Sequence, residues 1–292
     1  MAVTESRFVT VDGMRTHYLE AGPVAGPAVV LLHSGEYGSC AEASWSETIP
    51  GLADAGYHVF APDWLGYGKT DKVIDFADPK GRRVRHLAAA VRALGIESAA
   101  FVGNSMGGTY LAEDLAGEEP LFPAAVAVLA SGGGFIPFNE ARSAIQEYDL
   151  TEAGMAKLLR TATYSSRLTD DPEFVAWRHK LSLEPGAWQC AASARLRPPA
   201  TGAAPAPPDH GGEHFGRKDP IAYERFRVPA LVIAGAQDPL REPGYADEIA
   251  GRLPDAELHV YDECGHLPNL EHPRRFVRDV LSFLERRYRT AE

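Results

Sequence analysis

Phe101-Val102-Gly103-Asn104-Ser105-Met106-Gly107-Gly108 carries an apolar run directly into a turn of small residues. Gly-x-Ser-x-Gly between a strand and a helix predicts a sharp elbow that lifts the Ser105 hydroxyl above a sheet edge. Small neighbours allow the chain to reverse there without side-chain collision. The Met106 amide, at the start of the following helix, then faces the point where negative charge develops on an attacked carbonyl. Ser105 is the candidate nucleophile and Met106 a candidate oxyanion donor.

Outward from this elbow, short apolar runs recur at Ala28–Leu32, Tyr57–Phe60, Ala99–Val102, Ala125–Ala130, Ala230–Ala234 and Glu257–Tyr261. Runs without strict alternation suit strands buried on both faces, as in a parallel sheet. Near the N-terminus, Asp12-Gly13 between RFVTV and MRTHYLE reads as a tight hairpin turn. Helical spacing of Val84, Leu87, Ala88, Val91 and Leu94 follows Asp78-Pro79, a capping residue with proline in the first turn. A last helix starts near Pro273, with Phe276, Val277, Val280, Leu281, Leu284 and Tyr288 along its buried stripe. Strands alternating with helices predict an open α/β sheet. The rhythm breaks between about 135 and 220. A helical segment around Glu173–Leu181 gives way to RPPATGAAPAPPDHGGEHFGRKDP, whose prolines disfavour a regular helix. The expected organisation is therefore a core of residues 1–134 and 221–292, with 135–220 as an inserted helical lid ending in an irregular return.

Two later loops complete a reaction set. Asp238 stands just beyond the Leu231-Val232-Ile233 strand, and His266 just beyond the Leu258-His259-Val260 strand. Serine, acid and histidine thus follow one another in a chain order that suits a doubly wound sheet, each at a strand's carboxyl end. His266 is the expected base and Asp238 the group that orients its ring. His33-Ser34-Gly35-Glu36-Tyr37-Gly38 follows the first apolar strand and supplies a second oxyanion donor, best placed at Gly35, with Ser34 and Glu36 as alternatives. His33 is read as a brace of this loop. Asp63, in Ala61-Pro62-Asp63-Trp64-Leu65-Gly66-Tyr67-Gly68, is read as a support for a glycine-rich turn.

Charge narrows the partners. Forty acidic against 29 basic residues give a formal net charge of -11, the wrong sign for a phosphate-backbone partner. The opening MAVTESRFVT does not resemble a secretion signal, and no apolar run reaches membrane-spanning length. Three scattered cysteines form neither a disulfide framework nor a metal cluster, so a cytoplasmic protein is the expectation. His210 and His214 lack a coherent ligand set, and Ser131-Gly132-Gly133-Gly134 lacks the lysine of a phosphate loop, so neither metal nor cofactor is expected. A small-molecule substrate is implied, without nucleic acid or membrane. A homodimer is left open.

Over nearly its whole length the chain resembles the α/β-hydrolase superfamily. The resemblance rests on His33-Ser34-Gly35, Pro62-Asp63-Trp64-Leu65-Gly66-Tyr67-Gly68-Lys69-Thr70, Gly103–Gly108 and Gly265-His266. Within it, Gly103–Gly108 and Ser131–Gly134 resemble hydrolases that split ring-cleavage products, vinylogous 1,5-diketones, at a carbon–carbon bond. That resemblance implies keto–enol tautomerisation followed by hydrolytic cleavage. It implies substrate contacts from Arg178, which sits where that family places a substrate-binding arginine, and from Asn104. Ser34 and Glu36 depart from the family's more glycine-rich loop, and Leu267 stands where tryptophan commonly follows the catalytic histidine. All three are candidate substrate contacts. The same triad serves a carboxylesterase or lactonase acting through an acyl-enzyme, and a non-catalytic small-molecule receptor is the reading from outside enzymology.

Overall fold

The computed structural model describes residues 3–137, 139–193 and 219–289. His210, His214 and most of the proline-rich return lie outside the described residues. Eight strands form one sheet in the order β1-β2-β4-β3-β5-β6-β7-β8. They are β1 (Glu5–Val11), β2 (Met14–Ala21), β3 (Ala28–Leu32), β4 (His58–Pro62), β5 (Ala99–Asn104), β6 (Ala124–Ala130), β7 (Ala230–Gly235) and β8 (Ala256–Tyr261). The β1–β2 and β2–β4 pairs are antiparallel. Every other pair is parallel. The hairpin turns at Asp12 and Gly13, with φ of 50° and 78°. Two successive left-handed residues match the twist of the strands they join.

The helices are α1 (Ala41–Trp45), α2 (Ile49–Asp54), α3 (Pro79–Ala93), α4 (Met106–Leu115), α5 (Glu140–Gln146), α6 (Glu152–Ala162), α7 (Pro172–Ser182), α8 (Ala187–Ala192), α9 (Tyr245–Arg252), α10 (Pro268–Glu271) and α11 (Pro273–Arg287). Asp78 caps α3 by accepting the Gly81 N–H at 2.9 Å, with Pro79 in the first turn. Between β6 and β7 the chain leaves the sheet and builds α5 to α8 before returning. The segment expected around Glu173–Leu181 is α7.

The core occupies both faces of the sheet. On β3, Val30 and Leu32 pack with Leu87 and Val91 of α3 and Leu111 of α4. Val29 and Leu31 pack on the other face with Trp45 of α1 and with Phe276, Val280, Phe283 and Leu284 of α11. Alternate residues feed opposite cores because side chains along a strand alternate faces. Fully burying a side chain of this size contributes about 1.5–3 kcal/mol, which explains why these strands are apolar throughout. The packing holds the carboxyl ends of β3, β5, β7 and β8 at one edge, with the loops that follow them.

Candidate active site

Ser105 occupies the elbow between β5 and α4 with φ 51° and ψ −112°. Its N–H is fixed on the Ala130 carbonyl at 2.8 Å. This backbone region is unfavourable for a residue with a Cβ, and the local glycines make it attainable. A Cβ on Gly103 would lie 2.6 Å from the Gly107 carbonyl, and one on Gly107 would lie 2.2 Å from the Leu32 oxygen. The elbow is thus clamped between its own strand and β3.

Ser105 Oγ lies 2.6 Å from His266 Nε2, and His266 Nδ1 lies 2.7 Å from Asp238 Oδ2. With the Nδ1 proton donated to the carboxylate, Nε2 is left to accept the serine proton. The other Asp238 oxygen accepts the Leu240 N–H at 2.9 Å. Burial opposes ionisation of Asp238. The imidazole's charge and hydrogen bond, reinforced by Arg241, outweigh it and hold the carboxyl below its ordinary value.

A cavity of about 330 Å³ lies over these groups. Gly35, Glu36, Ser105, Met106, His266 and Leu267 reach its wall. Gly35 and Met106 are in close apposition, since a Cβ on Gly35 would come 2.5 Å from Met106 Sδ. The Met106 amide opens α4 and has no carbonyl one turn back within the helix. Tyr67 donates its hydroxyl to the Gly35 carbonyl at 3.0 Å, fixing that loop from below. His33 accepts the Trp64 N–H on Nε2 at 3.1 Å and donates Nδ1 to the Ser34 carbonyl at 2.6 Å. It is a brace, with its pKa lowered by burial. Asp63 accepts the Ala41 and Lys69 N–H groups and bonds His17 at 2.7 Å, so its reach extends beyond its own turn to β2 and α1.

Three residues expected at the substrate stand behind the wall. Asn104 is buried and directs Nδ2 to the Ala130 and His266 carbonyls at 3.3 and 3.5 Å, which orders the histidine loop. Ser34 is buried, and its hydroxyl donates to Glu36 at 2.9 Å. Arg178 is fully buried on α7 and is not among the cavity's lining residues. Its guanidinium bonds Glu36 Oε1 at 3.2 Å and the Tyr37 carbonyl at 3.1 Å. Arg178, expected to contact the substrate, forms an ion pair with a residue of the same chain. Burial alone would raise the Glu36 carboxyl, but Arg178 and the Ser34 hydroxyl reverse the shift and keep it below its ordinary value.

Two residues escaped the sequence reading. Glu271 sits in α10 beneath the histidine loop. One oxygen accepts the Gly265 and Leu267 N–H groups at 2.9 and 3.3 Å. Its other oxygen accepts those of Tyr164 and Ser165, just past α6, at 2.7 and 3.2 Å. The His266 N–H itself is held by Ala162, the last residue of α6, at 2.8 Å. Arg241, three residues beyond Asp238, reaches the cavity wall and clamps the Ser131 carbonyl through Nε and Nη2 at 3.1 and 2.6 Å. Among the described residues no cluster of His, Cys, Asp or Glu could hold a metal ion. Among the same residues no helix is long and apolar enough to cross a membrane.

Comparison with known proteins gives a consistent set of likenesses. The model of the alpha/beta hydrolase family matches residues 29–280. The chain is 32% identical over 285 residues to the 2-hydroxy-6-oxo-6-(2'-aminophenyl)hexa-2,4-dienoic acid hydrolase of Metapseudomonas resinovorans, covering 96% of this chain and 91% of that protein. It is 30% identical to the 2-hydroxymuconate semialdehyde hydrolase of Pseudomonas sp. strain CF600, covering 95% and 93%. Among solved structures, the meta-cleavage product hydrolase of Pseudomonas fluorescens IP01 superposes with a TM-score of 0.80 at 28% identity, over 96% of this chain and 97% of that one.

Proposed function

Because the chain belongs to the alpha/beta hydrolase family, we propose that it is a serine hydrolase that cleaves a carbon–carbon bond next to a carbonyl in a diketone-like ring-cleavage product. Ser105 is the nucleophile, His266 the base and Asp238 its orienting acid. The observation that carries the carbon–carbon reading is the full-length likeness to relatives named for 2-hydroxy-6-oxo-dienoate and 2-hydroxymuconate semialdehyde hydrolysis.

The geometry supports an ordered sequence. The enol form of the substrate first becomes a ketone, with His266 placed to move the proton. Ser105, or a water, then attacks the distal carbonyl while His266 takes the proton of that nucleophile at Nε2. The Gly35 and Met106 amides receive the oxygen as it gains charge. When the carbon–carbon bond breaks, its electron pair leaves as a conjugated enolate, which recovers a proton from the imidazolium. Where Ser105 was the nucleophile, water deprotonated by His266 then attacks the acyl-enzyme, releasing the acid and returning the proton to Ser105. Asp238 stabilises that imidazolium throughout. The helices α5 to α8 act as a lid over the cavity, placing Ile145 and Ala162 against the substrate, with Ile136 from the stretch before α5, and excluding bulk water from the enolate.

The decisive assay follows the absorbance of a conjugated vinylogous 1,5-diketone, as free acid and as methyl ester, beside a matched aryl ester. Wild-type protein depletes the diketone, and Ser105→Ala lowers its kcat by about 10³-fold or more. Ester turnover with no loss of either diketone would overturn the carbon–carbon reading. Full activity of S105A would remove the serine from the mechanism.

A further inference from the structure

One relative reported above is named for a dienoic acid, yet in this chain the buried Arg178 is already paired with a carboxylate. Glu36 Oε1 lies 3.2 Å from Arg178 Nη2 and accepts the Ser34 hydroxyl at 2.9 Å. Arg178 is completely buried, whereas Glu36 keeps 10% of its side chain exposed and reaches the cavity wall. The substrate therefore meets the carboxylate of this pair and not the guanidinium. The interaction is also held in place by the backbone. Gly38, with φ 70°, passes so close to α7 that a Cβ would lie 2.2 Å from the Arg178 carbonyl oxygen. Arg178 Nε and Nη1 are buried with no hydrogen-bond partner, so Glu36 supplies the carboxylate that offsets this cation.

We propose that Glu36 is a resident counter-ion standing where a substrate carboxylate would otherwise pair with Arg178, so that this enzyme takes substrates uncharged at the end facing Glu36. This rests on the diketone reading above and specifies the chemical class within it: a neutral diketone, or one whose acid is masked as an ester, amide or lactone. The lowered pKa of Glu36 agrees, since the group repels an incoming carboxylate at neutral pH. Three further arginines, Arg83, Arg142 and Arg241, also reach the wall, and the selection is set at the end of the cavity that Glu36 faces. Arg83 donates to the Cys190 carbonyl at 2.6 Å, and Arg241 holds Ser131. A like charge brought to within about 4 Å of Glu36 is disfavoured roughly fivefold with water-like screening and by well over tenfold in a partly desolvated site.

The test compares kcat/KM for a vinylogous diketone free acid and for its methyl ester in the wild type, in Glu36→Gln and in the Glu36→Gln/Arg178→Gln double variant. Wild-type protein favours the methyl ester at least about tenfold. In E36Q the acid-to-ester ratio rises at least about tenfold, because Arg178 is released to pair with the acid. In the double variant the ratio rises less, since repulsion is gone and no cation replaces it. The double variant also guards against E36Q failing to fold with an uncompensated buried cation, which circular dichroism monitors. A wild-type preference for the acid that E36Q leaves unchanged or lowers would overturn the proposal. So would an acid preference that disappears in Arg142→Gln, which would locate the anion on α5. If neither diketone is cleaved, the reaction reading falls separately. The same ratios are then read on 4-nitrophenyl hemisuccinate and its methyl ester.

Discussion

Replacing Glu271 by glutamine tests how the histidine loop is held. The carboxylate serves four main-chain donors, two per oxygen: Gly265 and Leu267 on one, Tyr164 and Ser165 on the other. A glutamine keeps one acceptor oxygen and turns an NH2 group toward the other pair, so two N–H groups lose their partner and face a donor. A buried donor left unsatisfied costs about 1–3 kcal/mol. Burial raises the Glu271 carboxyl against the pull of those four N–H groups, so neutralising it returns part of the loss. The net destabilisation is then about 2–4 kcal/mol, combining two lost acceptors with that return. For a chain of this size each kcal/mol lowers Tm by roughly 2 °C, giving a drop of roughly 4–8 °C by the same conversion. Thermal denaturation followed by circular dichroism measures it, alongside kcat on an aryl ester. Because two of the four donors flank His266, kcat falls severalfold while the nucleophile itself is untouched. A Glu271→Gln protein with Tm within a degree of the parent and unaltered kcat would refute this account of the loop. Glu271→Ala, which removes both acceptors, must be the worse of the two.

Asp238→Asn presents the imidazole with a donor or a neutral acceptor and permits the wrong tautomer. By analogy with serine proteases kcat falls by about 10⁴-fold, and steady-state kinetics showing less than a tenfold loss would remove Asp238 from its role. Gly107→Ala drives a Cβ to 2.2 Å from the Leu32 oxygen. Neither β3 nor α4 can yield without opening the elbow, so the purified variant melts several degrees below the parent, and an unchanged Tm would show the contact to be soft. Acid sensitivity follows from Glu36, Asp63 and Asp238, all held below their ordinary values in the fold. A depressed folded pKa gives stability that is complete above the unfolded carboxyl value of about 4 and is lost as pH falls through the folded one. Urea midpoints should fall steeply below about pH 4, less so in Asp63→Asn; a flat profile would contradict the charge assignments.

The fold was legible because a strand buried on both faces must be apolar throughout. Ala28–Leu32 read from the chain coincides with β3, and the run from Ala230 lies within β7. The elbow was legible because its glycines are imposed by sterics that leave few alternatives. Asp238 and His266 were legible because each follows a strand by only a few residues. Arg241 and Glu271 were not, since their partners are main-chain groups that every residue carries, and no pattern of side chains announces such a bond. The Arg178–Glu36 pair joins positions 142 residues apart. Sequence could suggest that each approaches the substrate, but their mutual neutralisation depends on where α7 crosses the loop after β3. Boundaries were softer for a related reason. Tyr57 reads as strand from its side chain, yet β4 begins at His58, where pairing with Ala28 starts.

The helices between β6 and β7 reach the proposed reacting groups directly. Three of their contacts run to the machinery. The α6 terminus holds the His266 N–H through Ala162, the stretch beyond it shares Glu271 with the histidine loop, and α7 sends Arg178 to the loop bearing Gly35. A hydrogen bond at the backbone of His266 acts on the ring's position through a short, stiff connection, and catalysis is sensitive to displacements of about 1 Å. The proposed base and one proposed oxyanion donor are therefore each positioned from two sides, by the sheet edge below and by these helices above. A change in how the helices pack would alter proton transfer and charge stabilisation together. Substitutions in this segment should consequently be read through kcat as well as KM, because in this chain these helices and the proposed catalytic geometry share the same hydrogen bonds.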